Sequence, residues 1–236
     1  MSTPNPFFDR VAVINLARRP DRLAAITAAT TSANWPFIAP TIQTAVDGQQ
    51  PPPPPTGWTQ TLGLWGCLQS HRAALAAAVA AGSQCLLVLE DDATLAPTFS
   101  VDAPAFLAAL PSDWEGAMLG GLHLSKPSTF APGVVRATRA HNTHAYALRG
   151  AFIATASAFF AASNQTAGQS WIALQTGHAI YAPPLWLVGQ AAGVSDDIIS
   201  RKPRPLRFFN PPPPRTGGIG RARFIGKKLG QPPPAQ

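Results

Sequence analysis

Apolar residues along this chain come in short runs separated by segments of helical length. Residues 11–16 (Val-Ala-Val-Ile-Asn-Leu) and 85–89 (Cys-Leu-Leu-Val-Leu) are nearly unbroken apolar runs, the pattern of strands covered on both faces. After the first run, Pro20 suits the opening turn of a helix continuing through Leu23 and Ile26. Residues 37–44 predict a second strand, leading into the turn Ala45-Val46-Asp47-Gly48. Residues 62–81 predict a long Ala-rich helix stopped by Gly82, with Leu64, Leu68, Leu75 and Val79 facing a sheet. Further on, the pattern predicts a loop at 97–102, a short helix at 104–110 and a strand at 114–121 ending in a flexible Gly120-Gly121 turn, with His123 just beyond. Strands are expected at 134–137 and 143–148, a helix at 150–162, a short helix at 171–177, and extended pieces at 178–181 and 185–188. A polar closing loop, 189–198, carries the carboxylate pair Asp196-Asp197. Strands alternating with helices indicate an α/β protein with a mostly parallel central sheet flanked by helices.

With 236 residues, 46% of them hydrophobic, the chain can bury one sizeable core, assigned to residues 1–200. The five prolines at 51–55 fit neither a helix nor a central strand, so residues 49–56 are expected as a stiff surface loop. The formal charge of +7 is unevenly placed. Nine of the 18 basic residues lie at 201–236, where there is no acidic residue, leaving nine basic against 11 acidic in the body. That Pro/Gly-rich tail has little to bury and is expected to be mobile or draped over the body. With no apolar run of about 18 residues and a polar N-terminus, neither a membrane span nor a secretory signal is visible, and a cytoplasmic location is expected. Cys67 and Cys85 then read as reduced thiols, and no zinc site is expected.

Candidate chemistry centres on Glu90-Asp91-Asp92, three carboxylates directly following an apolar strand. Open α/β sheets bind ligands at such strand ends, and carboxylates that repel one another are stabilised there by a hard divalent cation carrying phosphate. An acidic turn capping the next helix is the alternative. At the first strand-to-helix junction, Arg18, Arg19 and Arg22 suit a diphosphate, since guanidinium groups fork onto phosphate oxygens. The other reading there is a solvated helix start with an Asp21–Arg pair.

Ile14-Asn15-Leu16-Ala17-Arg18-Arg19-Pro20-Asp21-Arg22, then Ala45-Val46-Asp47-Gly48, Gly63-Leu64-Trp65-Gly66-Cys67-Leu68-Gln69-Ser70-His71, Val88-Leu89-Glu90-Asp91-Asp92 and Thr143-His144-Ala145-Tyr146-Ala147-Leu148 form an ordered series. It resembles glycosyltransferase family 25, the lipooligosaccharide and collagen galactosyltransferases, over about residues 11–200. The resemblance implies a GT-A-type nucleotide-sugar-binding domain, a UDP-sugar donor, Mn²⁺ or Mg²⁺, and inversion at the anomeric carbon. On that mapping Asp92 holds the metal, with Asp91 and His144 as further candidates. Asn15, Arg18, Arg19, Arg22, Asp47, Gly63, Gly66, Ser70, Glu90 and Asp91 surround the nucleotide. The general base is expected to be Asp197 or Asp196, with His71 and His144 as rivals. The Ser170-Trp171-Ile172 segment lacks the acidic or histidine residue the family pattern leads one to expect nearby.

The expected acceptor is a hydroxyl on a cell-surface glycan such as lipooligosaccharide, the basic tail then meeting an anionic membrane surface. The alternatives are a hydroxylated base in DNA, with the tail on phosphates, and a non-catalytic binding module on the same fold.

Overall fold

A computed structural model of the chain describes residues 7–32, 35–194, 196 and 205–208. Eight strands form the main sheet. In chain order these are β1 (Arg10–Asn15), β2 (Thr41–Thr44), β3 (Cys85–Glu90), β5 (Gly116–His123), β6 (Ser128–Ala131), β7 (Val134–Arg136), β8 (Ala140–Arg149) and β9 (Ile180–Ala182). Two further strands, β4 (Ala93–Leu95) and β10 (Val188–Gln190), pair antiparallel in a small second sheet. The main order is β2-β1-β3-β8-β5-β9-β7-β6. The pairings make β2, β1, β3, β5, β9 and β6 run one way, with β8 and β7 reversed between them. The sheet is therefore mixed, with most strands sharing one direction.

Alternation along the strands builds two cores. Ala12, Ile14, Leu86, Val88, Tyr146 and Leu148 point to one face, where α2 (Leu62–Ala80), α4 (Phe152–Ala162) and α5 (Ala167–Leu174) pack. Val11, Val13, Leu87, Leu89, Ala145 and Ala147 point to the other, beneath α1 (Pro20–Thr31) and α3 (Phe99–Ala108). Covering both faces requires the unbroken apolar runs seen in β1 and β3.

Several elements differ from expectation for local reasons. The buried stripe of α2 runs through Trp65, Leu68, His71, Leu75 and Ala78, while Val79 is exposed. Only β2, the last part of 37–44, is strand; Phe37 instead packs edge-on against Phe8. Helix α3 starts at Phe99 and carries Pro104 inside it, where a loop and a proline-started helix were expected. Gly120 and Gly121 lie within β5, not in a turn, and are glycine where neighbours crowd the backbone: a Cβ on Gly120 would sit 2.6 Å from the Val188 carbonyl oxygen. Helix α5 begins four residues before Trp171, at a capping box in which the Thr166 hydroxyl and the Gln169 side chain satisfy each other's backbone N–H groups. No helix among the described residues is long and apolar enough to cross a membrane.

Candidate active site

The ends of β1 and β3 lie side by side, with Ile14 in register with Glu90. This brings the arginines after β1 to the carboxylates after β3. Asp91 is the bracket between them. One of its oxygens, Oδ2, accepts from Asn15 Nδ2 at 2.9 Å and from Leu16 N at 3.3 Å, while Oδ1 accepts from Arg22 at 3.1 Å. Its side chain is 7% exposed, so these donors replace water around a buried charge.

Arg18, Arg19 and Arg22 converge on Asp196. Arg18 and Arg19 donate to its two oxygens, and Arg22 lies 3.6 Å from Oδ2. Burial acts to raise the Asp196 pKa, but the hydrogen bonds from Arg18 and Arg19 outweigh it and hold the carboxyl below its ordinary value. Arg18 is also held by Asp47 at 2.9 Å, and Arg22 donates to the Val194 carbonyl. The junction thus gathers guanidinium groups around an anion, as a diphosphate site requires.

The opposite wall is the start of α2 against the loop after β2. Ser70 Oγ donates to Gly66 O at 2.7 Å and accepts from Val46 N at 2.8 Å. A Cβ on Gly66 would lie 2.7 Å from Val46 O, and one on Gly48 would overlap the Gly63 backbone. These glycines let helix and loop touch main chain to main chain.

Two chambers meet at the acidic cluster. The smaller, about 60 Å³, lies among Arg18, Arg22, Gly48, Ser70, His71 and Asp196. The larger, about 380 Å³, lies among His141, Asn142, Thr143, Gly168, Gln190 and Arg207. Arg22, Cys67, Glu90 and Asp92 line both.

Glu90 and Asp92 differ sharply. Glu90 Oε1 accepts from Thr143 Oγ1 at 2.7 Å and lies 3.3 Å from His71 Nε2. Burial acts to raise its pKa, and the His71 and Thr143 contacts hold it below the ordinary carboxylate value. Asp92 Oδ2 receives a long contact from Gln190 Nε2 at 3.4 Å, and its other oxygen is sealed from solvent with no hydrogen-bond partner among the described residues. Burial, followed by the charge of Glu90, pushes Asp92 up to about 7. An orphaned carboxylate oxygen in a wall of acids, facing arginines, fits a hard divalent cation that also touches phosphate.

Of the remaining expected site residues, Asn15 is spent holding Asp91 and the Arg19 carbonyl. His144 is fully buried beneath the sheet's small neighbour, with Nε2 3.1 Å from Val188 O, and lines neither chamber. It packs against β10 there and acts on Glu90 through its charge. Asp91 lines the smaller chamber but is committed to its three donors, whereas Asp92 lines both chambers with one oxygen unpartnered among the described residues. Asp197 lies outside the described residues. His141 and Asn142 were not singled out from the sequence. Between the pairs Gly120↔Ala145 and Leu122↔His141, β5 advances two residues and β8 four, so β8 bulges there. Within the bulge Asn142 has φ 75°, a left-handed conformation that asparagine tolerates. The signal was hidden because an Ala-His-Asn-Thr-His run carries no turn residue other than Asn.

No family model matches the chain, and no curated protein matches it. Among solved structures, mannose-1-phosphate geranyltransferase from Thermus thermophilus overlaps 74% of this chain and 73% of its own, at 11% identity and TM-score 0.39. A glycosyltransferase involved in glycosylation of the major capsid of PBCV-1 overlaps 74% of this chain and 92% of its own, at 8% identity and TM-score 0.36. Overlaps this loose assign no function.

Proposed function

We propose that this chain is a metal-dependent glycosyltransferase of GT-A type, moving a hexose from a UDP-sugar to a hydroxyl. The observation that carries the reading is the pair of chambers divided by Glu90 and Asp92, the smaller lined by Arg18, Arg22 and Asp196, the larger by Arg22 and Arg207 together with hydrogen-bonding groups such as His141, Asn142, Thr143 and Gln190. Arg18 and Arg22, which line the smaller chamber, and Arg19, which reaches it through Asp196, bind and orient the donor diphosphate, with Asp196 giving up its place. Asp92, with Glu90 beside it, holds a Mn²⁺ or Mg²⁺ ion. When bound, that ion neutralises charge developing on the departing diphosphate.

The acceptor hydroxyl enters the larger chamber. His141 takes its proton: Asn142 Oδ1 accepts from His141 Nδ1 at 2.7 Å, which leaves the Nε2 lone pair available. Asp196 lines only the smaller chamber, away from the acceptor's larger one, which leaves His141 the better placed base. Attack from the side opposite the leaving group inverts the anomeric carbon. A glycan hydroxyl is the acceptor favoured by the resemblance.

The test is release of nucleotide from a panel of nucleotide sugars with Mn²⁺, alone and with glycan or duplex-DNA acceptors. Metal-dependent release from a UDP-sugar, lost in Asp92→Ala and accelerated by a glycan, supports the reading. His141→Ala should spare UDP binding while removing transfer. No release from any donor, and no thermal shift by UDP with Mn²⁺, refutes it in favour of a binding module.

A further inference from the structure

We propose that Cys67, His71 and Glu90 form a second metal site, one that takes a single thiophilic divalent cation of the zinc type. The sequence suggested no Cys/His cluster, but the fold makes one. Cys67 and His71 are four residues apart on α2 and so share a face. That face meets the last residue of β3. One donor atom from each side chain, the Cys67 thiol, a His71 ring nitrogen and a Glu90 oxygen, lies within 4.8 Å of the other two. Around a tetrahedral zinc with bonds of about 2.0–2.3 Å the ligand atoms stand about 3.3–3.8 Å apart, so small side-chain rotations close the site.

The surrounding groups are those a metal site uses. His71 is 1% exposed, and its Nδ1 lies 3.1 Å from the Tyr146 hydroxyl, which fixes the ring and leaves Nε2 toward Glu90. Burial keeps the Tyr146 phenol protonated, so it accepts from or donates to Nδ1 as the ring requires. Thr143 Oγ1 donates at 2.7 Å to the same Glu90 oxygen that faces His71. Cys67 and Glu90 line both chambers and His71 the smaller one, which provides an entry route and an open fourth position.

A sulfur, nitrogen and oxygen donor set selects zinc over Mn²⁺ or Mg²⁺, which prefer oxygen alone. Asp92 is not among these donors, but Glu90 is shared with the ion site assigned to glycosyl transfer, so the two readings meet at that one carboxylate and are separated by their readouts. A bound ion would clip the start of α2 to the acidic end of β3.

The experiment is Co²⁺ titration of the chelator-stripped full chain, followed by Zn²⁺ competition. One Co²⁺ per chain with a thiolate charge-transfer band, displaced by Zn²⁺ but not by equal Mn²⁺, is expected. Cys67→Ser should remove the band; Cys85→Ser and Asp92→Asn should keep it. Tyr146→Phe should weaken Zn²⁺ binding by about 10- to 100-fold. Should Cys67→Ser misfold by circular dichroism, wild-type protein serves instead: Zn²⁺ should slow alkylation of Cys67, located by peptide mass, and leave that of Cys85 unchanged. A missing band, a band surviving in folded Cys67→Ser, or alkylation of Cys67 indifferent to Zn²⁺ overturns the proposal. Its failure leaves Asp92-dependent donor cleavage untouched, and failure of donor cleavage leaves the cobalt band untouched.

Discussion

Asp92→Asn is expected to stabilise the ligand-free protein, and by an amount that depends on pH. The folded protein raises the Asp92 pKa from 3.8 to about 7, so it keeps a proton that the unfolded chain has already lost. The stability linked to that proton is complete below the unfolded value, about pH 4, and is lost as pH rises through about 7. Three pH decades at about 1.4 kcal/mol each set a ceiling of about 4 kcal/mol. Partial solvent access and the Gln190 contact reduce it, and about 2 kcal/mol is the working figure. Asparagine keeps the shape without the charge, so it escapes this loss. In chelator-treated protein the variant should melt about 4–8 °C above wild type at pH 8, with the gap shrinking toward zero near pH 4. Adding Mn²⁺ should raise the wild-type melting temperature alone. Equal melting at pH 8, or a gap that does not change with pH, would refute the account of Asp92 as a strained, cation-seeking carboxylate.

Arg22→Gln removes the cation facing buried Asp91 and is expected to cost about 3 kcal/mol in urea unfolding, along with most UDP affinity by calorimetry. Gly66→Ala should push α2 off the Val46 carbonyl, costing about 2 kcal/mol in thermal melts and weakening nucleotide binding in the same protein. Removing residues 201–236 should leave donor hydrolysis intact but reduce transfer to acceptor, because Pro205 and Arg207 line only the larger chamber; steady-state rates with and without acceptor separate the two effects.

The strands that run under the cleft were legible because they are covered on both faces and therefore written in unbroken apolar letters, as in β1 and β3. Short peripheral strands such as β4 and β6 were not, since Ala-Thr-Leu and Ser-Thr-Phe-Ala read equally well as loop. Within the site, the carboxylate and arginine clusters stood out as contiguous charge. What sequence could not divide was the labour among neighbours: Asp91 became a bracket and Asp92 a free wall only through register with Asn15 and Arg22. Likewise His144 and His141 are three residues apart, and the bulge in β8 decides which is buried against Val188 and which reaches the cleft. Of the tail, expected as mobile or draped over the body, the described part lies against it: Arg207 and Gln190 exchange backbone hydrogen bonds at 3.0 and 2.8 Å.

Asp196 resting among Arg18, Arg19 and Arg22 makes ligand entry an exchange of one anion for another. The guanidinium groups never stand as bare positive charge, so the cleft needs no shell of loosely held counterions that an arriving diphosphate would have to release. Affinity for such a ligand should then respond only weakly to added salt, despite the number of arginines in contact. The same substitution makes the strength of the internal carboxylate a setting: the tighter Asp196 holds, the more selectively the cleft admits only anions that can offer two charged oxygens at once.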